Sequence, residues 1–359
     1  MRPIINHDVP LAPLTSLGVG GSARFFCEVV DEDGVAHAIA WAEERSTPWT
    51  VLGGGTNVVV SDDGYDGLVI QLDMRGIKST MAAGSARVTA LAGEPWDGFV
   101  AHCVSRGWAG IECLSGIPGR VGATPIQNVG AYGQEVSQTI EVVRAFDTEK
   151  ADMVELESAA CGFAYRDSLF KSHAPGRYVV TAVTYRLVVD GEPTVRHGEV
   201  SERLAERGLG APTLVQVRHA VVEVRRRKSM VLDSYDPDSR SVGSFFVNPT
   251  VDAQAWERIV EAARSHDLIE TDDVPPHHVI DEKYKLSAAW LIENAGFYRG
   301  YERGEAGLSS SHCLAIVNRG QATARDVMAL AREIESAVLE RFGVGLIPEP
   351  RFIGPMPSL

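Results

Sequence analysis

Ser115-Gly116-Ile117-Pro118-Gly119-Arg120-Val121-Gly122-Ala123, continued by Gln127-Asn128-Val129-Gly130-Ala131-Tyr132-Gly133, decides how the rest of this chain is read. The passage from Leu114 to Gly133 is too long and too punctuated for a plain connector, and long ordered loops usually bind something. Without Cβ atoms such a backbone closes around a flat ring system, with amides and Asn128 as hydrogen-bonding groups. A surface loop with several turns is the alternative. Upstream, Gly53-Gly54-Gly55-Thr56-Asn57 lies between two strand-like runs, where glycine either lets amides approach a phosphate or simply turns the chain tightly. It is not a dinucleotide fingerprint, because Val58-Val59-Val60 follows where that motif opens a helix. No Gly-Lys-[Ser/Thr] phosphate loop occurs either. Two glycine segments in one chain point to a large phosphate-bearing cofactor.

Outward from these segments the pattern is α+β. Val35, Ala38, Ile39 and Ala42 mark a helix, followed by strands at Trp49 to Leu52 and Asn57 to Val60. Further strands are expected at Arg87 to Ala92, Ile140 to Phe146 and Tyr178 to Val189. Glu94-Pro95 opens a helix that Gly107 closes. Helices follow at Leu214 to Lys228, Ala253 to Arg264 and Ala288 to Asn294, with a strand at Cys313 to Val317. The last helix is signalled by Thr323-Ala324-Arg325-Asp326, the face Val327, Leu330, Ile334 and Val338, and Gly343 beyond its end. Polar Asp233 to Ser241 reads as a linker. At roughly 150 residues per domain, 359 residues make two to three domains, placed at 1–80, 81–229 and 230–345, with the tail 346–359 returning to the first.

A hydrophobic fraction of 45% and a charged fraction of 23% exclude a largely disordered chain. The net charge of −14 opposes nucleic-acid binding. No signal peptide and no stretch of about 18 apolar residues is present, so a cytoplasmic protein is expected. Cys27, Cys103, Cys113, Cys161 and Cys313 are odd in number, scattered and without a Cys-x-x-Cys pair, which suggests neither a disulfide framework nor zinc. The histidines show no metal spacing, so no metal is assigned.

Four more segments carry chemistry. In Tyr165-Arg166-Asp167-Ser168 the guanidinium is suited to a carboxylate or a developing enolate, or else to a structural pair with Asp167. Gly243-Ser244-Phe245-Phe246-Val247-Asn248-Pro249 lacks the Gly-x-Ser-x-Gly of a nucleophile elbow, leaving Ser244 as a proton donor to carbon or a turn residue. Pro348-Glu349-Pro350-Arg351 sets a carboxylate in a rigid apolar tail, as an acid or as the partner of Arg351. Arg225-Arg226-Arg227-Lys228 reads as a solvated helix end or as a diphosphate contact.

In this order, the glycine segments, Tyr165 to Ser168, Gly243 to Pro249 and Pro348 to Gly354, with Thr15 to Gly21 before them, make the chain resemble the UDP-N-acetylenolpyruvoylglucosamine reductase family over nearly its whole length. The resemblance implies an FAD-binding fold of the vanillyl-alcohol-oxidase type followed by a C-terminal α+β substrate-binding domain. It implies non-covalent FAD, NADPH as co-substrate, and reduction of UDP-N-acetylglucosamine enolpyruvate to UDP-N-acetylmuramate, a step of peptidoglycan precursor synthesis. It also implies a soluble, cytoplasmic protein, expected to be a monomer. The family's catalytic positions fall on Arg166 and Glu349, which stabilise the enolate, and on Ser244, which protonates it. The cofactor positions fall on Gly53, Gly54, Gly55, Thr56, Asn57, Ser115, Gly116, Pro118, Gly119, Gly122, Ala123, Asn128, Gly130, Ala131 and Arg351. Those for substrate fall on Tyr165, His197, Lys228, Asn248 and His312, with Arg225 to Arg227 left in solvent. The chain is similar to the longer class of the family but departs from it at His197-Gly198-Glu199, where a Tyr-Gly-Asp-like motif supplies a tyrosine. An imidazole there stacks as well, with a charge that changes near neutrality. The alternative is a flavin oxidase on the same cofactor fold, which needs neither Ser244 nor Glu349; its customary His or Cys tether is missing from both glycine segments. A catalytically silent nucleotide-sugar-binding module is the reading from a different class.

Overall fold

A computed structural model describes residues 2–270 and 272–356. Its contacts group into two compact units. One comprises Met1–Val9, Ser22–Gly55 and Tyr65–Val231, the other Pro10–Gly21, Thr56–Gly64 and Leu232–Leu359.

The first unit holds two α/β layers. In one, strands follow the order Asn6–Pro10, Ser22–Val29, Tyr65–Leu72, Trp49–Leu52, with Tyr65–Leu72 parallel to both of its partners Ser22–Val29 and Trp49–Leu52. Helix α1, Glu32–Glu43, starts where the Asp31 carboxylate accepts the Gly34 N–H. Its Val35, Ala38, Ile39 and Ala42 recur at helical spacing and pack on Cys27, Val29, Leu68 and Ile70. The other layer is an antiparallel sheet ordered Asp152–Glu157, Ile140–Asp147, Tyr178–Val189, Ser85–Leu91, Ile77–Ala82. Helix α2, Trp96–Val104, covers it with Trp96, Phe99, Val100 and Cys103. Two buried rings with polar tips are satisfied: Trp96 Nε1 donates to the Leu114 carbonyl at 3.0 Å, and the Tyr185 and Thr124 hydroxyls are 2.7 Å apart. Helices α3, Gly198–Glu206, and α4, Leu214–Arg227, join Val200 and Leu204 to Val217, Ala220 and Val221.

The second unit packs α5, Ala253–Ser265, α6, Ala288–Asn294, and α7, Ala324–Phe342, with two three-stranded sheets. Thr323 and Asp326 exchange side-chain and backbone bonds at the start of α7, and Gly343 ends it at φ 66°. The Asp62 carboxylate also accepts the Ala324 and Arg325 N–H groups, where the helix dipole favours negative charge. Arg351–Ile353 runs parallel to Val58–Val60, and both belong to this second unit.

Two local expectations are corrected. The strand expected at Cys313 to Val317 forms at Ile316–Asn318, because Ala315 N–H turns back to the His312 carbonyl before extended pairing begins. Asp233 to Ser241, expected to be a linker, belongs to the second unit. Its turn formers build Asx turns at Asp233 and Asp236, and Asp238 is buried against Ser309, Ser310 and Arg319. The five cysteines are free and buried, and burial pushes each thiol up to about 12, which keeps it protonated. Among the described residues no helix is long and apolar enough to cross a membrane, and no side-chain cluster fits a metal ion.

Candidate active site

The two glycine segments meet in the first unit. A Cβ on Gly54 would come within 2.9 Å of the Gly119 Cα, so the two backbones approach as only glycine allows. Gly55 and Gly119 hold φ of 65° and 118°, and a Cβ on Gly53 would meet the Ala123 methyl at 3.9 Å. Such a cradle of bare backbone fits an extended pyrophosphate-bearing cofactor such as FAD. Several of its amides are committed to the protein: Ser115 N–H donates to the Glu112 carbonyl, Gly116 to Asp97, Val121 to Glu94, Gly122 to Ala92 and Ala123 to Arg120. What this second segment offers a cofactor is therefore largely shape.

Asp97 fixes that shape. Its carboxylate accepts the Gly116 N–H and a two-pronged bond from Arg218 of α4, at 2.5 and 2.8 Å. Burial pulls its pKa up, but the Arg218 and Gly116 bonds outweigh this and hold it below the usual carboxylate value. A depressed folded-state pKa stabilises the fold above the unfolded value and loses that contribution as pH falls through the folded one. Asp97→Asn is accordingly expected to melt earlier than the unaltered protein at about pH 6, with the gap closing below about pH 4. Thermal unfolding across that range checks it; a gap independent of pH would show that the carboxylate charge contributes nothing.

Asn128 is buried and serves the loop itself. Its amide donates to Glu135 and to the Ala164 carbonyl, and its carbonyl oxygen accepts the Ser137 N–H. It holds the Gly130–Ala131/Gln134–Glu135 hairpin, whose turn residues Tyr132 and Gly133 have φ of 50° and 86°, as a two-residue turn of this hand requires. Arg166 is placed beside this hairpin: its Nη2 donates to the Gly130 carbonyl at 2.8 Å and its guanidinium carbon lies 5.7 Å from the Tyr165 ring centroid. Arg166 is left-handed at φ 54°, and the Lys171 ammonium, 2.8 Å from the Arg166 carbonyl, braces that conformation. Asp167 accepts from the Ser168 N–H and the Ser172 hydroxyl.

His197 sits at the start of α3, edge-on to Tyr132 with ring centroids 5.0 Å apart, and its Nδ1 is buried without a hydrogen-bond partner. Lys228 pairs with Glu199 at 2.6 Å. Arg225 is not solvated, as the sequence suggested. Its stem lies against Gly116, its Nη2 donates to the Met230 carbonyl at 2.7 Å, and its Nε is buried and unpartnered. Burial lowers its pKa against the opposing pull of Tyr132 and Asp97. Tyr132, His197, Arg225, Lys228 and Glu199 thus gather within the first unit. The signal for Arg225 was its spacing: it lies four residues after buried Val221 and eight after buried Val217, on the inward face of α4.

The remaining site residues belong to the second unit. Gly243, at φ 77°, turns the chain into Ser244, and Phe245 and Phe246 after it are buried. The tail pairs with this segment: Val247 N–H donates to the Ile347 carbonyl at 2.9 Å and Glu349 N–H to the Phe245 carbonyl at 2.8 Å. Glu349 thereby faces Phe245, the residue after Ser244, across the two paired segments. Asn57 joins them, its amide 3.4 Å from the Glu349 carbonyl and its own main-chain carbonyl accepting the Arg351 N–H. Phe245 N–H also reaches the Leu314 carbonyl, next to the turn that carries His312. Asn248 accepts the Ala288 N–H at the start of α6, which fixes its side chain.

The comparisons with known proteins agree along the chain. Residues 23–156 match the model of an FAD binding domain, and residues 236–353 that of the C-terminal domain of UDP-N-acetylenolpyruvoylglucosamine reductase. The chain is similar to the UDP-N-acetylenolpyruvoylglucosamine reductase of Thermobifida fusca, 45% identical over 97% of this chain and 98% of the relative. It is 42% identical to that of Streptomyces coelicolor over 97% and 90%. Among solved structures it is similar to the reductase of Thermus caldophilus, with a TM-score of 0.65, 25% identity, and 99% and 100% of the two chains covered.

Proposed function

The chain belongs to the UDP-N-acetylenolpyruvoylglucosamine reductase family, and from that membership we propose that it is an FAD-dependent oxidoreductase converting UDP-N-acetylglucosamine enolpyruvate to UDP-N-acetylmuramate, with NADPH as reductant. FAD, when bound, would supply the redox chemistry that links NADPH to the enolpyruvyl ether. Gly53 to Asn57 and the Ser115 to Ala123 loop hold the FAD, together with Arg351 of the tail.

Hydride addition turns the substrate's CH2 into CH3 and leaves an electron pair on the α-carbon, shared with its carboxylate as an enolate. Arg166 stabilises that charge with a planar, permanently cationic donor, and Glu349 does so as a protonated acid. Ser244 gives its proton to the α-carbon and regains one from water through a relay, which restores the hydroxyl for the next turnover. His197, Lys228, Asn248, Tyr165 and His312 hold the nucleotide sugar. The protein works in the cytoplasm, as a monomer.

The observation that supports this reading is the backbone pairing of Phe245 with Glu349, which joins the segment that carries Ser244 to the segment that carries Glu349; an oxidase needs neither residue. An anaerobic stopped-flow experiment tests it. NADPH is expected to bleach the flavin band and the enolpyruvyl ether to restore it rapidly. A band restored only by oxygen would replace the reductase by an oxidase. Protein that neither carries nor binds FAD would leave a binding module.

A further inference from the structure

Glu112 is a buried carboxylate that the chemistry above does not use. Its Oε2 accepts the Gly110 N–H at 2.8 Å, and its Oε1 accepts both the Gln134 amide at 2.9 Å and the Thr194 N–H at 2.8 Å. Gln134, buried as well, accepts the Cys113 N–H with its own carbonyl oxygen at 2.8 Å. The main-chain carbonyl of Glu112 accepts from both the N–H and the hydroxyl of Ser115, the first residue of the cofactor loop. Three stretches of chain thus converge on one residue: the cofactor loop, the hairpin that carries Tyr132, and the segment Thr194 to His197. The last two also touch directly, the Gly133 backbone lying against Arg196 and Tyr132 against His197. Burying a carboxyl group is costly unless its oxygens are satisfied, and here two of its three donors, Gln134 and Thr194, belong to segments that carry site residues.

We infer that Glu112 is a positioning residue that ties the Thr194–His197 segment and the Tyr132 hairpin to the cofactor loop, so that nucleotide-sugar affinity depends on it. The inference rests on the proposed reading of His197 as a nucleotide-sugar contact.

The discriminating variant exchanges the two side chains, Glu112→Gln with Gln134→Glu. The amide then placed at position 112 donates to the carboxylate then placed at position 134, which in turn accepts the Cys113 N–H. The carbonyl oxygen of that same amide accepts the Gly110 N–H. Only the Thr194 N–H loses its acceptor. In the holoenzyme this double exchange is expected to keep one FAD per chain and a kcat within about threefold of the unaltered enzyme, while KM for the enolpyruvyl nucleotide sugar rises about tenfold, as loss of one hydrogen bond at the substrate side implies. Thr194→Pro removes the same N–H from the other end, is expected to raise KM alike, and carries the test should the exchange not fold. A KM within twofold of the unaltered value, or kcat and FAD content falling together with it, would overturn the inference. Failure of the functional reading looks different: unaltered enzyme, bleached by NADPH, would not regain its absorbance on adding the enolpyruvyl ether, and the inference would fall with it.

Discussion

Ser244→Ala is expected to bleach with NADPH at close to the unaltered rate and to regain its flavin absorbance with the enolpyruvyl ether about 10³-fold more slowly. Removing a positioned general acid typically costs about 10²- to 10⁴-fold. A serine hydroxyl is a weak acid, so it donates only to a strongly basic centre; a carbanion α to a carboxylate is one. The site is rigid where it needs to be. Phe245 and Phe246 are buried on one side of Ser244, Gly243 fixes the turn on the other, and the Phe245 main chain is bonded to both Leu314 and Glu349. Loss of a single hydroxyl leaves that frame standing, so a fall in the second half-reaction is a chemical effect and not a folding one. Single-turnover traces of the two half-reactions, recorded separately under anaerobic conditions, decide the matter. Equal slowing of both would remove the proton-donor role from Ser244.

How far the sequence revealed this arrangement depended on the range of the interaction. Elements specified by their own neighbours were legible: Tyr178–Val189 and Ala288–Asn294 form where the pattern placed them, and α7 begins at the Thr323–Asp326 box and ends at Gly343. Glycine spacing likewise exposed the two segments whose backbones meet at Gly54 and Gly119. What stayed hidden was set by partners distant in the chain. The approach of Gly54 to Gly119, the bond from Gly116 to Asp97 and the bonds from Thr194 and Gln134 to Glu112 have no local signature. Glu112 reads as an ordinary charge in a loop, and its burial is visible only once three N–H groups surround it. Asn128 was legible as a hydrogen-bonding residue, but its partners Glu135 and Ala164 were not. Asp238 shows the same limit from the other side: turn formers mark a change of direction, not whether the turn faces water or, as here, Arg319.

Arg166→Lys is expected to lower the rate of the second half-reaction by about 10²- to 10³-fold, the usual effect of losing one preorganised donor to a developing oxyanion, with NADPH bleaching little changed. The substitution is chosen because it isolates the guanidinium. Lysine keeps the positive charge, and it bears the same backbone strain at φ 54°, since neither side chain is β-branched. The Lys171 bond to the carbonyl of residue 166 is a main-chain contact and survives. What disappears is the planar fork, one prong of which is held by the Gly130 carbonyl and so aims the rest. An ammonium on a flexible stem has no such anchor and presents its charge as a point rather than along two parallel donors. If charge alone stabilised the enolate, the lysine variant would retain most of its rate and only Arg166→Gln would be slow. If orientation matters, both variants are slow, and lysine recovers little of what glutamine loses. Comparing the two reoxidation rates therefore separates electrostatic attraction from aimed hydrogen bonding, and the clamp on Gly130 argues for the second.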